Sequence, residues 1–379
     1  MGEAWADQES WELVSEASQI AGRDVEHLLL RADADELKDT RNAQLTTFVL
    51  SLVVLDAVER TGLDASYMAG HSLGEYTALT AAGALSFDDG VRLVCERGDA
   101  MAQAGAANLG TMSAVLGMDD EQVEIACRLA DADVRVANFN APGQVVIAGS
   151  PEGVAAATAK AKEMGSKKVM PLPVSGAFHT PFMQPARERL RVAIAAANPR
   201  NTEVPIVSNV DAQAHQTGDE WSALLSAQLC SPVRWRHSLE ALYEYGVRTF
   251  IELGPGGVLT GMAKRTLDGV RTIGVSTPNE LDKLLLALLA TQEPAPLAPA
   301  PMEGEHLFVR ERMVVSPSAG LFTPQSTIHK GSVIDVGTVL GIAGTAEVRS
   351  PFKGIVMGML ALDGERVTQS QPIAWLLTE

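Results

Sequence analysis

Residues 70–74 read Gly-His-Ser-Leu-Gly, a G-x-S-x-G pattern that sets a serine on a sharp turn between a strand and a helix. On such a turn the Ser72 hydroxyl projects into solvent, and the flanking Gly70 and Gly74 avoid clashes with neighbouring elements. A serine hydroxyl becomes a useful nucleophile only when a base removes its proton. The helix that begins at Leu73 has backbone N–H groups without intrahelical partners, so the Leu73 N–H can donate to a developing oxyanion, helped by the helix dipole. These residues supply a nucleophile, its elbow and half an oxyanion hole.

The base should be one of seven histidines. His27 falls in a surface helix, and His306 and His329 fall in the C-terminal tail. His71 adjoins Ser72 in an extended run, where successive side chains point apart. His179, in LPVSGAFHTPFM, lies at a strand end before a helix with Pro181 in its first turn. Open α/β sheets gather their chemistry at the C-terminal ends of strands, so His179 is the first choice and His237 the next.

Several elements must position these groups. Residues 8–31 carry apolar residues at helical spacing and predict one helix, and residues 42–60 predict a second, apolar on most faces and therefore buried. Ser-Tyr-Met-Ala-Gly at 66–70 suits a short central strand leading into the elbow. Helices follow over 73–85 and 87–105, the latter with Asp88 and Asp89 favourable in its first turn. From 110 to 174 the order becomes strand, helix, strand, strand, helix, strand, the ferredoxin-like succession, which reads as an inserted subdomain. A helix over 180–197, a strand at 204–209, two further helices, a strand at 249–254 and a Gly-rich turn into another helix resume the first pattern. The expectation is an α/β-hydrolase-like fold with a largely parallel sheet, formed by residues 1–109 and 175–290 around the insertion at 110–174.

Alternating Pro and Ala mark residues 291–305 as an extended linker. Beyond it, residues 306–379 lose helical period and contain an internal repeat. Ser316-Pro317 matches Ser350-Pro351, Gly320 matches Gly354, and Gly331 matches Gly364. Two such halves of short strands predict a flattened β-barrel with quasi-twofold symmetry.

Composition narrows the function classes. A formal net charge of −17 argues against nucleic acid as a partner. Cys95, Cys127 and Cys230 lack metal-ligand spacing and read as small buried residues in a reducing compartment. The N-terminus is polar and acidic, with no signal peptide or membrane span read, so a cytoplasmic protein is expected.

Six linked blocks are more specific than the elbow alone: GHSLGEYTAL, RLVCERGDAMAQ, NFNAPGQVVIAG, PLPVSGAFHTPFM, SAQLCSPVRW and ELGPGGVLTGMAKR. Their order and spacing resemble the malonyl-CoA:acyl carrier protein transacylases over residues 1–285. The resemblance implies malonyl transfer from malonyl-CoA to the phosphopantetheine thiol of acyl carrier protein, with no cofactor. It makes Ser72 the acyl-accepting nucleophile and His179 its base, oriented by the backbone carbonyl at the position of Gln228. It gives Arg97 the free carboxylate of the malonyl group, which suits a planar guanidinium. It also places Phe178 against the acyl α-carbon, favouring malonyl over a branched extender, and Asn138, Asn140 and Gln144 in a loop beside the site. Lys264, Arg265 and Arg271 are the candidate basic rim for an acidic carrier.

Two departures accompany the resemblance. The family opens with a strand and a GQG loop that gives the second oxyanion donor, whereas this sequence aligns just after that loop and holds no GQG. A start placed too late is the simplest account. The tail resembles a biotinyl/lipoyl carrier domain, but the connection between its halves, GIAGTAEVRSPF, has no lysine, so no attached biotin or lipoate is expected. Carboxylase or synthase subunits are candidate partners for that tail. The competing readings are an inactive scaffold that recruits such partners, and a serine hydrolase with water as acceptor. A carboxylate-gripping Arg97 argues against the hydrolase.

Overall fold

A computed structural model describes residues 1–174, 176–289 and 311–378. The chain divides into two compact units, Met1–Gln292 and Glu293–Glu379. The predicted linker at 291–305 and His306 lie outside the described residues.

The first unit opens with α1 (Glu12–Ala21) and α2 (Val25–Leu30), where the sequence predicts a single helix. Gly22 ends α1 in the left-handed region at φ 60°, and the Asp24 side chain accepts from His27 N–H to start α2. A C-terminal glycine cap followed at once by an N-cap overrides continuous apolar periodicity. After α3 (Ala34–Lys38), α4 (Thr40–Glu59) is long and apolar enough to cross a membrane, but 61% of that window is buried inside the protein. Its Phe48, Val49 and Val53 are fully buried, which makes it a core helix. The two-residue strand β1 (Met68–Ala69) leads to α5 (Gly74–Ala81), and α6 (Phe87–Ala107) starts where the Ser86 hydroxyl caps Asp89 N–H.

Residues 111–171 form β2 (Thr111–Leu116), α7 (Asp120–Leu129), β3 (Val134–Ala141), β4 (Gln144–Gly149), α8 (Pro151–Glu163) and β5 (Lys168–Pro171). The strands lie in the order β3-β4-β2-β5, and each neighbouring pair is antiparallel. Val115, Val123, Val136, Ile147 and Ala157 build a core of their own beneath α7 and α8. Backbone bonds between Phe139 N and Val233 O, and between Val233 N and Ala137 O, both 2.9 Å, tie β3 to the chain ahead of a later helix.

The remaining elements are α9 (Gln184–Ala197), β6 (Ile206–Val207), β7 (Ala214–His215), α10 (Gly218–Gln228), α11 (Trp235–Glu244), β8 (Thr249–Leu253), α12 (Val258–Thr266), β9 (Arg271–Val275) and α13 (Pro278–Leu289). The expectation of a largely parallel sheet is corrected: the sheets are mixed. β1 and β6 are parallel, β6 and β7 antiparallel, and β8 and β9 form a separate parallel pair. The cause is a tight reversal after β6, closed by Ser208 N to Gln213 O at 2.9 Å, with Ala212 at φ 60°. β7 and β9 were not read from the sequence.

The second unit contains β10 (Glu311–Val315), β11 (Gly320–Pro324), β12 (Val333–Ile334), β13 (Val339–Ala343), β14 (Ala346–Arg349), β15 (Gly354–Met359), β16 (Arg366–Val367) and β17 (Pro372–Leu377). They form two four-stranded sheets, β10-β17-β15-β12 and β14-β13-β11-β16, around a core that includes Phe322, Leu340, Val356 and Ile373. The internal repeat is visible bond by bond. Ser316 Oγ donates to Ser318 O and Ser350 Oγ to Phe352 O, both at 2.7 Å. Gly331, at φ 94°, donates its N–H to Val356 O, and Gly364, at φ 78°, donates to Phe322 O. Each half therefore lends a turn to a strand of the other.

Candidate active site

β1 ends at the elbow, and the turn is tight. A Cβ on Gly70 would lie 1.9 Å from the backbone C and O of Gly74, so only glycine fits there. Gly74 is different: a Cβ there would meet nothing within 4 Å, so of the two framing glycines only Gly70 is sterically required. Ser72 itself sits at φ 53°, a left-handed conformation that non-glycine residues rarely adopt. Three bonds hold it there. Ser72 N–H donates to Asn209 Oδ1 at 2.7 Å, Asn209 Nδ2 donates to Gly70 O at 2.7 Å, and Gln228 Nε2 donates to Ser72 O at 2.8 Å. Leu73, already helical in its dihedrals at the start of α5, has an N–H with no acceptor among the described residues.

His179 comes from the segment between β5 and α9, and it too lies at positive φ, 60°. Its Nε2 is 2.7 Å from Ser72 Oγ, and its Nδ1 is 2.9 Å from the backbone carbonyl of Gln228. With a carbonyl as acceptor, Nδ1 must carry the proton, which leaves Nε2 as the acceptor facing the serine. Burial, reinforced by the nearby Arg97 charge, depresses its pKa from 6.5 to about 3. The imidazole is therefore neutral and ready to take a proton. His237, the second choice for the base, lies instead on α11 against the Phe139 ring, beside Arg236. His71 bonds Asn140 Oδ1 at 2.8 Å and packs on Trp235.

Arg97 reaches the same oxygen from α6. Its Nη2 donates to Ser72 Oγ at 3.0 Å and to Gln228 Oε1 at 3.1 Å, and its Nη1 donates to Gln44 Oε1 at 2.5 Å. The side chain is only 1% exposed. Its partners are amide and hydroxyl oxygens, none of them a carboxylate. A buried cation hydrogen-bonded only to neutral acceptors, with its nearest carboxylate, Glu75, acting on it only through space, can take an incoming anion in direct contact.

The other positions read from the sequence are less convergent. Phe178 packs between two core clusters next to His179, with its ring 2.7 Å from where a Cβ on Gly176 would lie. Asn138 is buried on β3 at the bridge to Val233. Gln144 is turned elsewhere, its Oε1 accepting from Arg265 Nη2 at 2.8 Å, so no bond links it to the serine–histidine pair. Arg271 donates to Ala287 O at 3.1 Å.

The sequence reading missed Gln44, Glu75 and Asn209. Gln44 is an amide near the start of a largely apolar helix. Glu75 looks like an acid placed for the helix dipole, yet it is fully buried, and burial pushes its carboxyl up to about 7. Asn209 stands just beyond β6, where the rule about strand ends could have found it. No cluster of three metal-ligating side chains occurs among the described residues.

Comparison with known proteins gives the family. The acyl transferase domain family matches residues 3–292. The malonyl CoA-acyl carrier protein transacylase of Bacillus subtilis (strain 168) is 41% identical over 279 residues, covering 73% of this chain and 88% of that protein. The enzyme of the same description from Escherichia coli (strain K12) is 40% identical over 280 residues, 73% and 90% of the two chains. Among solved structures, an acyl carrier protein S-malonyltransferase from Vibrio cholerae superposes with a TM-score of 0.73 at 36% identity, over 75% of this chain and 94% of the other. A malonyl-transacylase in complex with its type II PKS acyl-carrier protein also gives 0.73, at 35% identity over 76% and 94%. Such identity, sustained along nearly the whole length of those relatives, places this chain in the acyl transferase domain family, among the malonyl CoA-acyl carrier protein transacylases.

Proposed function

We propose that the protein transfers a malonyl group from malonyl-CoA to the phosphopantetheine thiol of an acyl carrier protein, through a malonyl ester on Ser72. The observation that carries the reading is the meeting at one oxygen of a neutral imidazole, 2.7 Å away, and a buried guanidinium, 3.0 Å away. His179 Nε2 takes the proton as Ser72 Oγ bonds to the thioester carbonyl carbon. The Leu73 N–H donates to the resulting oxyanion. The C–S bond then breaks, and CoA leaves with the proton from His179. In the second half the carrier thiol gives its proton to His179 and attacks the ester, and Ser72 is released with its proton restored.

Arg97 would exchange a neutral amide oxygen for the malonyl carboxylate, selecting a diacid and holding its carbonyl at the serine. Gln228 orients His179 by its carbonyl, and Phe178 limits branching at the α-carbon. Malonyl-CoA enters as substrate, and no bound cofactor is needed. The product serves fatty acid or polyketide synthesis, in the cytoplasm.

The second unit reads as a fold of biotinyl/lipoyl type without its prosthetic arm. The β13–β14 hairpin turns on Gly344 and Thr345, where neither residue offers an amine. Such a unit is available to dock carboxylase or synthase subunits.

The test is intact-mass spectrometry of the protein mixed with malonyl-CoA, followed by addition of holo carrier protein. A malonyl adduct that forms on the wild type, is absent from Ser72→Ala and moves to the carrier supports the reading. An adduct lost to water at the same rate with or without carrier overturns it in favour of a hydrolase.

A further inference from the structure

Glu75 takes no part in the steps above, yet the site is built around it. It is fully buried, and both its oxygens accept hydrogen bonds: Oε1 from Asn209 N–H and Oε2 from Gln228 Nε2, each at 2.6 Å. The amide of Gln228 has only one workable orientation. Its Oε1 faces the Arg97 guanidinium and its Nε2 faces the Ser72 carbonyl, so reversal would set donor against donor and acceptor against acceptor. Glu75 therefore meets donors on both sides, an arrangement that suits the ionised carboxylate. The same amide lies between two buried charges, its oxygen on the cation and its N–H on the anion.

We propose that Glu75 is a positioning residue that acts through Gln228 and Asn209 to hold nucleophile, base and guanidinium in one arrangement. This rests on the acyl-serine reading above. Gln228, gripped by Glu75, presents its carbonyl to His179 and its side-chain oxygen to Arg97. Asn209, gripped at its own N–H, accepts from Ser72 N–H and donates to Gly70 O, which fixes the left-handed elbow from both sides. Releasing either side chain loosens the serine together with one of its partners.

A pH dependence follows. A proton on Glu75 turns one acceptor into a donor aimed at a donor, so one of the two bonds breaks. Burial pushes this carboxyl up to about 7, against the opposing pull of the two bonds and Arg97. The His179 imidazole is held down to about 3. The acid limb of kcat/KM thus belongs to Glu75, and the rate falls as pH drops through about 7. The charged groups acting on Glu75 are Arg97 of α6 and Asp211 of the loop after β6, with the Tyr76 phenol buried alongside on its own helix. β1 carries no charge, and the charged residues of α4 have other neighbours: Arg41 pairs with Asp39, Asp56 with Arg60, and Glu59 lies near Asp56 and Asp64.

The experiment compares pH profiles of kcat/KM for wild type, Glu75→Gln and Glu75→Asp, with acyl-enzyme formation from malonyl-CoA measured by intact mass. The expected result is a fall of about 10²-fold in Glu75→Gln, loss of its acid limb, and a limb with partial rate retained in Glu75→Asp. Infrared difference spectra of the wild type between acid and alkaline pH should show a buried carboxylic acid band that disappears as the rate rises, whether or not the variants fold. An acid limb that survives unchanged in Glu75→Gln overturns the inference, as does absence of the band. A wild type that never forms the acyl-enzyme sinks the functional reading itself. Normal acylation with unchanged Glu75→Gln kinetics sinks only the role of Glu75.

Discussion

Arg97 and Ser72 sit one hydrogen bond apart, so on the proposed reading substrate choice and chemistry would be coupled at a single guanidinium. Replacing Arg97 by Ala should lower kcat/KM for malonyl-CoA about 10- to 100-fold, the worth of hydrogen bonds to a charged group. Acetyl-CoA, which has no free carboxylate, should lose much less, and competition assays with the two thioesters measure the ratio. Titration has two opposite signs here. His179 has a folded pKa of about 3 against 6.5 in the unfolded chain, so its contribution is lost as pH falls below 6.5. Glu75 is raised to about 7 from 4.5, so its contribution is lost as pH rises from 4.5 towards 7. Between 4.5 and 6.5 the two oppose. In denaturant titrations His179→Ala should therefore become less stable as pH rises through that window, whereas Glu75→Gln should become more stable.

Elements place these residues with little slack. The elbow exists because β1 is short and α5 begins almost at once, which brings the backbone of Gly74 to within 1.9 Å of the space beside Gly70. Gly70→Ala should destabilise the fold by about 3 kcal/mol, since the atoms it meets are backbone and cannot rotate aside. Gly74→Ala, with open space around it, should cost far less and keep acyl-enzyme formation. Thermal melts and the malonyl adduct of the two variants give a direct comparison. The helices that carry Gln44, Arg97 and Gln228 converge from α4, α6 and α10, so the site depends on helix packing as much as on the sheet.

At the scale of the whole molecule, the site draws every contact described above from Met1–Gln292. The second unit has its own core and its own two sheets. A chain ended at Gln292 should fold and keep its kcat/KM for malonyl-CoA and carrier protein. Loss of acyl transfer on that truncation, with folding intact by circular dichroism, would show that the tail takes part in the reaction.

The sequence by itself determined the chemistry-bearing parts and the family. Ser72 on its turn and the linked motifs around His179, Arg97 and Gln228 were legible because turn geometry and motif order are local or linear properties, whereas the strand end expected before His179 falls short, β5 stopping at Pro171. It also determined the tail's repeat, since Ser316 and Ser350 or Gly331 and Gly364 fulfil the same backbone need twice. Tertiary structure alone decided which way β7 runs, where the helix of residues 8–31 breaks, and that Gln144 turns to Arg265. It alone revealed Glu75, Asn209 and Gln44. An acid in a first helical turn, an asparagine after a strand and a glutamine on an apolar helix look ordinary in sequence. Their role arises only when distant backbones come close enough for buried polar groups to need partners, and that requirement is met by contacts between α4, α5, α6 and the segments around residues 209 and 228.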